Sequence, residues 1–422
     1  MRVGFAGMTH LGVNSAAGAL SRGFDVIGYD ADTSVIAGLR RGEPNVVEPG
    51  LPEVLRKNAA RARFTSGLAD LSACDLVYIA SDVPTDDSGA SDLAGIRKLI
   101  DAVLAAMPRS AVLVVLCQVP PGFTRALALP RERLFYQVET LVFGQAVERA
   151  ANPERIIVGC ADPAAPLPRA LHEFLSAYAC PILPMRYESA ELAKIAINCC
   201  LVSSVSVANT LAELCERIGA AWSEIAPALK LDRRIGQHAY LAPGLGIAGG
   251  NLERDLATVC RLADEQGTDA GVVRAWIANS RHRKDWVLHA LYRSVLSKID
   301  DPVIAVLGLA YKQDTRSTKN SPSLALLAHL APFRVRVFDP VVPASEAAHP
   351  RCHAASSEHD ACEGADALAV MTPWAQFSRL DAPQIAKRLR GKVVLDPYAV
   401  LKATECRAAG LEYRTLGQKP GT

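Results

Sequence analysis

Two stretches of the chain carry residue types and spacings that can do chemistry. In the first, Glu191, Lys194 and Asn198 lie three and four residues apart, within an apolar run from Glu188 that meets no proline or glycine until Gly219. On a helix that spacing puts them on one face. A lysine so placed can be catalytic, or it can be an ordinary solvated side chain; the pattern leaves both open. The second stretch, Pro243 to Asp255, reads PGLGIAGGNLERD. Its glycines permit conformations that a Cβ would block, so a flexible loop running into a helix is expected, with a plain structural turn as the alternative.

A third stretch can bind rather than react. Arg2 to Ala6 form an apolar strand pattern, Gly7-Met8-Thr9-His10-Leu11-Gly12 a glycine-bearing turn, Val13 to Leu20 an apolar helix, and Val26 to Tyr29 a second strand ending at Asp30. Strand, turn, helix, strand and terminal acid are the order of a dinucleotide-binding βαβ unit. The turn brings backbone N–H groups and a helix N-terminus to a pyrophosphate, while the acid receives ribose hydroxyls. Asp30 favours NAD over NADP, because it would repel a 2′-phosphate. Thr9 stands where a second glycine normally lets the phosphate approach. Its hydroxyl can bond a phosphate oxygen, or its bulk can shift or weaken the cofactor.

The remaining chain must position these stretches. Its 422 residues are too many for one ordinary core. Half of them are hydrophobic and 21% charged, as in soluble globular proteins. A formal net charge of +2 gives no reason to expect nucleic acid or an anionic membrane as a partner. The eleven cysteines include the adjacent Cys199 and Cys200 and fit neither a disulfide framework nor a zinc site, so reduced thiols and no metal are expected. No basic leader is evident in the opening MRVGFAG, and no segment reads as long enough to span a bilayer, so a cytoplasmic location is expected.

Apolar strands recur at Leu76 to Ala80, Ala111 to Leu116, Leu134 to Val138 and Ile156 to Val158, with helical stretches such as Asp92 to Met107 between several of them. That alternation predicts a largely parallel, doubly wound sheet, with ligands at strand carboxyl ends near Ser81 to Thr85, Cys117 to Gly122 and Gln137 to Gly144. Further strands at Val303 to Gly308, Arg334 to Asp339, Asp366 to Thr372 and Lys392 to Asp396, and a helix entered through Ser321-Pro322, predict a second, smaller Rossmann-like domain. The tail after Leu416 reads as frayed. The expected fold is α/β: two Rossmann-like doubly wound domains joined by a central helical domain with a long spine helix. The expected parts are residues 1–187, 188–297 and 298–422.

In order and spacing these motifs resemble the UDP-glucose / GDP-mannose dehydrogenase family over nearly the whole chain. The likeness rests on Glu43-Pro44, Glu48-Pro49-Gly50-Leu51, Glu191-Leu192-Ala193-Lys194 through Asn198, Arg234-Ile235-Gly236, Pro243-Gly244, and Gly308-Leu309-Ala310-Tyr311-Lys312 through Ser321-Pro322. The resemblance implies NAD-dependent oxidation of the C6 hydroxyl of a nucleotide sugar, a UDP-sugar first. Lys194, Asn198 and Asp255 would hold a water and the reacting hydroxyl, and Glu139 would assist thioester hydrolysis. Arg234 would reach the sugar across a dimer interface, so a homodimer or higher homo-oligomer is implied. Tyr240, Leu241, Gly244, Gly246 and Gly249 would wrap the sugar, with Lys312 near phosphate or a carboxylate. Val83, Pro84 and Gln118 occupy strand-end positions at the cofactor.

Several positions depart from that pattern. Asn251 stands four residues before Asp255, where the family carries the cysteine whose thiolate forms the thioester; a carboxamide can donate a hydrogen bond but cannot make that attack. Phe143 replaces a second glutamate, Gln118 a threonine and Tyr398 an arginine, and Ser81-Asp82-Val83-Pro84 differs from Val-Gly-Thr-Pro. Cys117, Cys199 and Cys200 are expected to be small packing residues rather than substitute nucleophiles. The expected function is a nucleotide-sugar oxidoreductase that stops after one two-electron step. A sugar-nucleotide-binding protein without turnover, an epimerase that retains NAD, and full acid formation by a cysteine-independent route are the alternatives.

Overall fold

The computed structural model describes residues 1–86 and 91–420. They form two compact units, Met1–Ile197 and Asn198–Thr422.

The described residues of the first unit build one sheet from β1 (Arg2–Ala6), β2 (Asp25–Tyr29), β3 (Ala62–Thr65), β4 (Leu76–Ile79), β5 (Val112–Val115), β6 (Leu134–Gln137), β7 (Ile156–Cys160) and β8 (Ile182–Arg186). Their order is β3-β2-β1-β4-β5-β6-β7-β8. All pairs are parallel except β6 with β7. The central strands are continuous apolar runs because both faces are covered: every residue of β4 and β5 is buried. Each such Val, Leu or Ile stabilises the unit by roughly 1.5–3 kcal/mol. The order reverses between β1 and β4, which opens a crevice at their carboxyl ends.

The first turn shows why two glycines stand where they do. Gly7 has φ +96°, and a Cβ there would lie 2.7 Å from Ser81 Cβ. At Gly12, inside the first helix (His10–Ser21), a Cβ would lie 1.7 Å from the Gly7 carbonyl oxygen. The helix begins at His10 rather than at Val13, because Thr9 is its extended N-cap and Val13 N–H already bonds Thr9 O at 3.0 Å.

The spine helix spans Tyr187–Ile218 and is continuous across the boundary between the units. It corrects one expectation: by length and composition it is long and apolar enough to cross a membrane. Interspersed Ala, Cys and Ser hide that in the sequence. Polar residues along it meet protein partners, and Val202, Ala208, Ala212 and Cys215 sit in hydrophobic clusters of the second unit, as in a core helix.

The described residues of the second unit hold the sheet β9 (Val303–Leu307), β10 (Arg334–Phe338), β11 (Cys352–Ala354), β12 (Ala367–Val370), β13 (Val393–Leu395) and β14 (Glu412–Arg414), all parallel, in the order β11-β10-β9-β12-β13-β14. Ser321 caps the helix Pro322–His329 by accepting from Ser323 N–H. The tail is not frayed through Gln418. Gly417 N–H bonds Glu216 at 3.1 Å, Trp222 N–H bonds Gly417 O at 2.9 Å, and Ala221 bridges Gln418. Gly417, at φ +74°, leaves room for Trp222, whose Cβ would be 2.6 Å from a side chain there. Residues 421–422 of that tail lie outside the described residues.

Gly12→Ala is expected to destabilise the first unit by about 1–3 kcal/mol, because the turn must open to admit the methyl group. Urea unfolding checks this, and an unchanged midpoint would show that the turn tolerates a Cβ.

Candidate active site

The residues expected at the cofactor gather at the carboxyl edge of the first sheet. Gly7, Met8, Thr9, His10, Leu11 and Gly12 follow β1, Asp30 follows β2, Val83 and Pro84 follow β4, and Gln118 follows β5. They flank the crevice between β1 and β4. Asp30 accepts from Met8 N–H at 2.7 Å and from Asp32 N–H at 2.9 Å, which fixes its carboxylate beside the turn. A turn without room for two Cβ atoms, a helix N-terminus and a placed acid fit the pyrophosphate and ribose of NAD.

His10 is no ordinary surface residue. Its Nε2 lies 2.7 Å from Glu48 Oε1, and its ring stacks on Phe143 with centroids 4.0 Å apart. Glu48 is buried and also accepts from Gly144 N–H at 2.9 Å and Ala146 N–H at 3.3 Å. Phe143, at the position of an expected glutamate, therefore serves as a stacking partner. Thr9 Oγ1 accepts from Asp82 N–H at 2.8 Å.

The last turns of the spine helix within the first unit carry Glu191 and Lys194. Glu191 is fully buried and accepts from Gly122 N–H at 2.6 Å and Thr124 N–H at 2.9 Å, holding the loop after β5. Burial pushes its carboxyl up, while the Thr124 and Gly122 bonds oppose the shift. Lys194 Nζ lies 3.1 Å from Glu139 Oε2, with both side chains largely shielded from water. Glu139 also accepts from Leu141 N–H, so its carboxylate is held on both oxygens.

In the second unit, Asn198 Nδ2 donates to Asp255 Oδ2 at 2.5 Å, and Arg254 Nε lies 3.4 Å from Asp255 Oδ1. Asp255 is fully buried. Asn251 and Asp255 lie one turn apart on the helix Asn251–Gln266, with Asn251 exposed in its first turn. The preceding loop is tied at several points. Gly244 N–H bonds Asn209 Oδ1 at 2.8 Å, Ile247 N–H bonds Ser280 Oγ at 2.7 Å, and Gly249 N–H bonds Lys319 O at 3.0 Å. Gly246 and Gly249 have φ +72° and +80°, and side chains there would meet Ser280 and the Tyr311 ring. The loop is thus a braced one rather than a flexible one. Asn320, Ser280 and Asn209, which brace it, carry no sequence signal because they come from distant segments.

Tyr398 packs beside this loop, 3.7 Å from where a Gly244 Cβ would be, and its hydroxyl engages the Leu245 backbone. Leu241 is buried and its carbonyl accepts from Trp222 Nε1 at 2.7 Å, whereas Tyr240 is exposed. Arg234 is exposed and pairs with Asp232 at 2.7 Å. Lys312 Nζ lies 5.9 Å from the Tyr311 ring centroid.

The chain's three segments match, in order, the models of the UDP-glucose/GDP-mannose dehydrogenase family: its NAD binding domain over residues 1–175, its central domain over 188–281 and its UDP binding domain over 305–403. The chain belongs to this family. It is 31% identical to a UDP-glucose 6-dehydrogenase of Pseudomonas aeruginosa, over 99% of this chain and 98% of that one. With UDP-glucose 6-dehydrogenase TuaD of Bacillus subtilis it shares 27%, over 99% and 93% of the two chains. A UDP-glucose dehydrogenase structure from Pyrobaculum islandicum superposes with a TM-score of 0.85 at 28% identity, covering 98% of this chain and 96% of that one. Membership makes NAD the cofactor and a nucleotide sugar the substrate class.

Burial disfavours the thiolate at two of the three cysteines singled out, Cys117 and Cys199. Burial pushes Cys199 up to about 11, with the Asp255 charge adding to the shift, and burial pushes Cys117 up to about 12. Cys117 is buried and Cys199 partly buried, but Cys200 is exposed. That corrects its expected packing role: it falls on the open side of the helix. Because a raised pKa lowers the thiolate fraction at neutral pH, Cys199 should alkylate slowly until the pH approaches 11. Mass-spectrometric mapping of iodoacetamide labelling against pH checks this; half-maximal reactivity near pH 8 would contradict it.

Proposed function

We propose that this chain is a nucleotide-sugar dehydrogenase, acting on a UDP-sugar first, that performs one two-electron oxidation and no thioester step. The observation that carries the reading is the pair Asn198 and Asp255, braced in a buried position, with Asn251 one turn before Asp255 where a nucleophile would be needed. NAD, when bound, accepts the hydride that leaves the sugar carbon.

Lys194 and Asn198, one turn apart on the spine helix, orient the sugar hydroxyl and stabilise its developing oxyanion. Asp255 takes the hydroxyl proton, directly or through water, while Asn198 holds the carboxylate in place. The C–H bond breaks as the C=O bond forms, and one proton is left on the carboxylate. Asn251 donates a hydrogen bond to the carbonyl oxygen and makes no covalent bond. Glu139, paired with Lys194, keeps that ammonium directed. The raised Cys199 thiol argues against a displaced nucleophile.

In this reading Gly7, Met8, Thr9, His10, Leu11, Gly12, Asp30, Val83, Pro84 and Gln118 hold the cofactor. Arg234, Tyr240, Leu241, Gly244, Gly246, Gly249 and Lys312 hold the sugar nucleotide. Residues 1–187, 188–297 and 298–422 serve as the cofactor, helical and nucleotide parts. The enzyme works as a homo-oligomer: Val207, Leu211, Leu214 and Ile218 are exposed at helical spacing along the spine helix, a stripe that a second copy would cover. The exposed Arg234 would exchange its pairing with Asp232 for a neighbouring protomer's substrate.

With NAD and a panel of nucleotide sugars, one NADH should form per sugar consumed, with an aldehyde or ketone as product by mass spectrometry. Two NADH and a uronate would sink the single-step reading; tight sugar-nucleotide binding with no NADH would favour a binding protein without turnover. Asn251→Cys should convert the product to the sugar acid with two NADH per sugar. An N251C protein that still stops at the first product would mean that Asn251 is not what blocks the second step.

A further inference from the structure

The C-terminal tail reaches the approach to the loop at Pro243 to Asp255 through one tryptophan. The chain leaves its last strand, β14, and Gly417 then lies buried against the spine helix. Gly417 N–H donates to Glu216 Oε1 at 3.1 Å. That carboxylate is itself fixed, because Arg283 Nη2 donates to the same oxygen at 3.0 Å and Trp286 Nε1 to the other at 2.9 Å. Gly417 O in turn accepts from Trp222 N–H at 2.9 Å, and Ala221 bridges Gln418. A Cβ on Gly417 would lie 2.6 Å from Trp222 Cβ and 3.2 Å from Ala212 Cβ, so the tail fills the space between that tryptophan and the helix.

Trp222 carries the constraint onward. It is buried with Ala208, Ala212, Cys215 and Leu241 in one apolar cluster, and its Nε1 donates to the Leu241 carbonyl at 2.7 Å. Three residues later, Gly244 N–H bonds Asn209 Oδ1 at 2.8 Å. The entrance to the loop is therefore held at two backbone atoms, one by the tryptophan that the tail fixes and one by the spine helix. A buried carbonyl that loses its donor is left unsatisfied, and the segment that bears it shifts to find another partner.

We propose that the tail at Gly417 is a positioning element for the sugar nucleotide: it fixes Trp222, and Trp222 sets the backbone of Leu241 and with it the start of the loop. The inference rests on the proposed reading of Leu241 and Gly244 as sugar-nucleotide contacts. Gly417 and Trp222 are positioning residues, for both act through Leu241. Binding of the sugar nucleotide thus depends on a segment near the end of the chain that supplies no contact of its own.

The test is calorimetric titration of the full-length protein with UDP-glucose, and separately with NAD, for the parent, Trp222→Phe, Gly417→Ala and the double variant, each below its unfolding temperature. Trp222→Phe keeps an aromatic ring in the cluster and removes the donor to Leu241. Gly417→Ala presses on Trp222 and strains the backbone at φ +74°, at a position whose nearest neighbours are Trp222 and Ala212 rather than the loop. Each single variant should bind UDP-glucose roughly threefold to tenfold more weakly, the range that the loss of one hydrogen bond gives. The double variant should lose little more than one single variant does, because both act on the same contact. NAD affinity should not change, since the glycine turn lies in the other compact unit. Lower unfolding temperatures with UDP-glucose affinity unchanged would overturn the proposal and leave the tail a structural strap. Equal losses for both ligands would overturn it as general damage, and additive losses would overturn the route through Trp222. A parent that binds NAD but not UDP-glucose would overturn the sugar-nucleotide reading and this proposal with it, an outcome distinct from equal binding by all four proteins.

Discussion

The structure depends on one helix whose apolar length is interrupted by polar side chains that each hold a distant segment. Along Tyr187–Ile218, Glu191 holds the loop after β5, Lys194 meets Glu139, and Asn198 meets Asp255. Further on, Asn209 fixes Gly244, and Glu216 ties Arg283, Trp286 and Gly417. Each contact lies within one unit, and all start from residues of the same helix. Buried polar groups of this kind are costly unless satisfied, and here their partners are loop backbone, at Gly122, Thr124, Gly244 and Gly417, and side chains of other segments, Glu139, Asp255, Arg283 and Trp286.

That dependence explains what the sequence could reveal. Both sheets were legible where strands are central, because burial on two faces writes them as continuous apolar runs. All four strands that the pattern passes over, Ala62–Thr65, Ile182–Arg186, Cys352–Ala354 and Glu412–Arg414, are sheet edges. Edge strands need no double apolar face, and β8 even admits Pro184, which a central strand would reject. The spine helix was legible within a residue at each end, since nothing breaks it before Gly219.

The candidate site was legible as motifs and opaque as contacts. The glycine turn, Asp30 and the helical spacing of Lys194 and Asn198 are local patterns. Bracing of the Pro243–Asp255 loop by Asn209, Ser280, Lys319 and Asn320 is long-range, and it turns glycines that suggest flexibility into glycines demanded by close approach. His10 is the same case: its partners, Glu48 and Phe143, come from remote segments, so nothing local in the turn announces them.

The departures from the family pattern divide by physical kind. Phe143 and Tyr398 exchange expected charges for rings, and both rings are put to use in packing, one on His10 and one beside Gly244. Asn251 is different, for it is exposed and no packing role explains it. The groups suited to moving a proton remain braced: Asp255 by Asn198, Lys194 by Glu139. A thiol has no comparable support, because the half-buried Cys199 sits beside the Asp255 carboxylate, and both burial and that charge disfavour a thiolate. The carboxylate proposed to take a proton from a sugar hydroxyl also disfavours the Cys199 thiolate. Proton removal and thiol attack therefore place opposing electrostatic demands on this corner of the second unit, and the arrangement of Asn198, Asp255 and Cys199 meets the first.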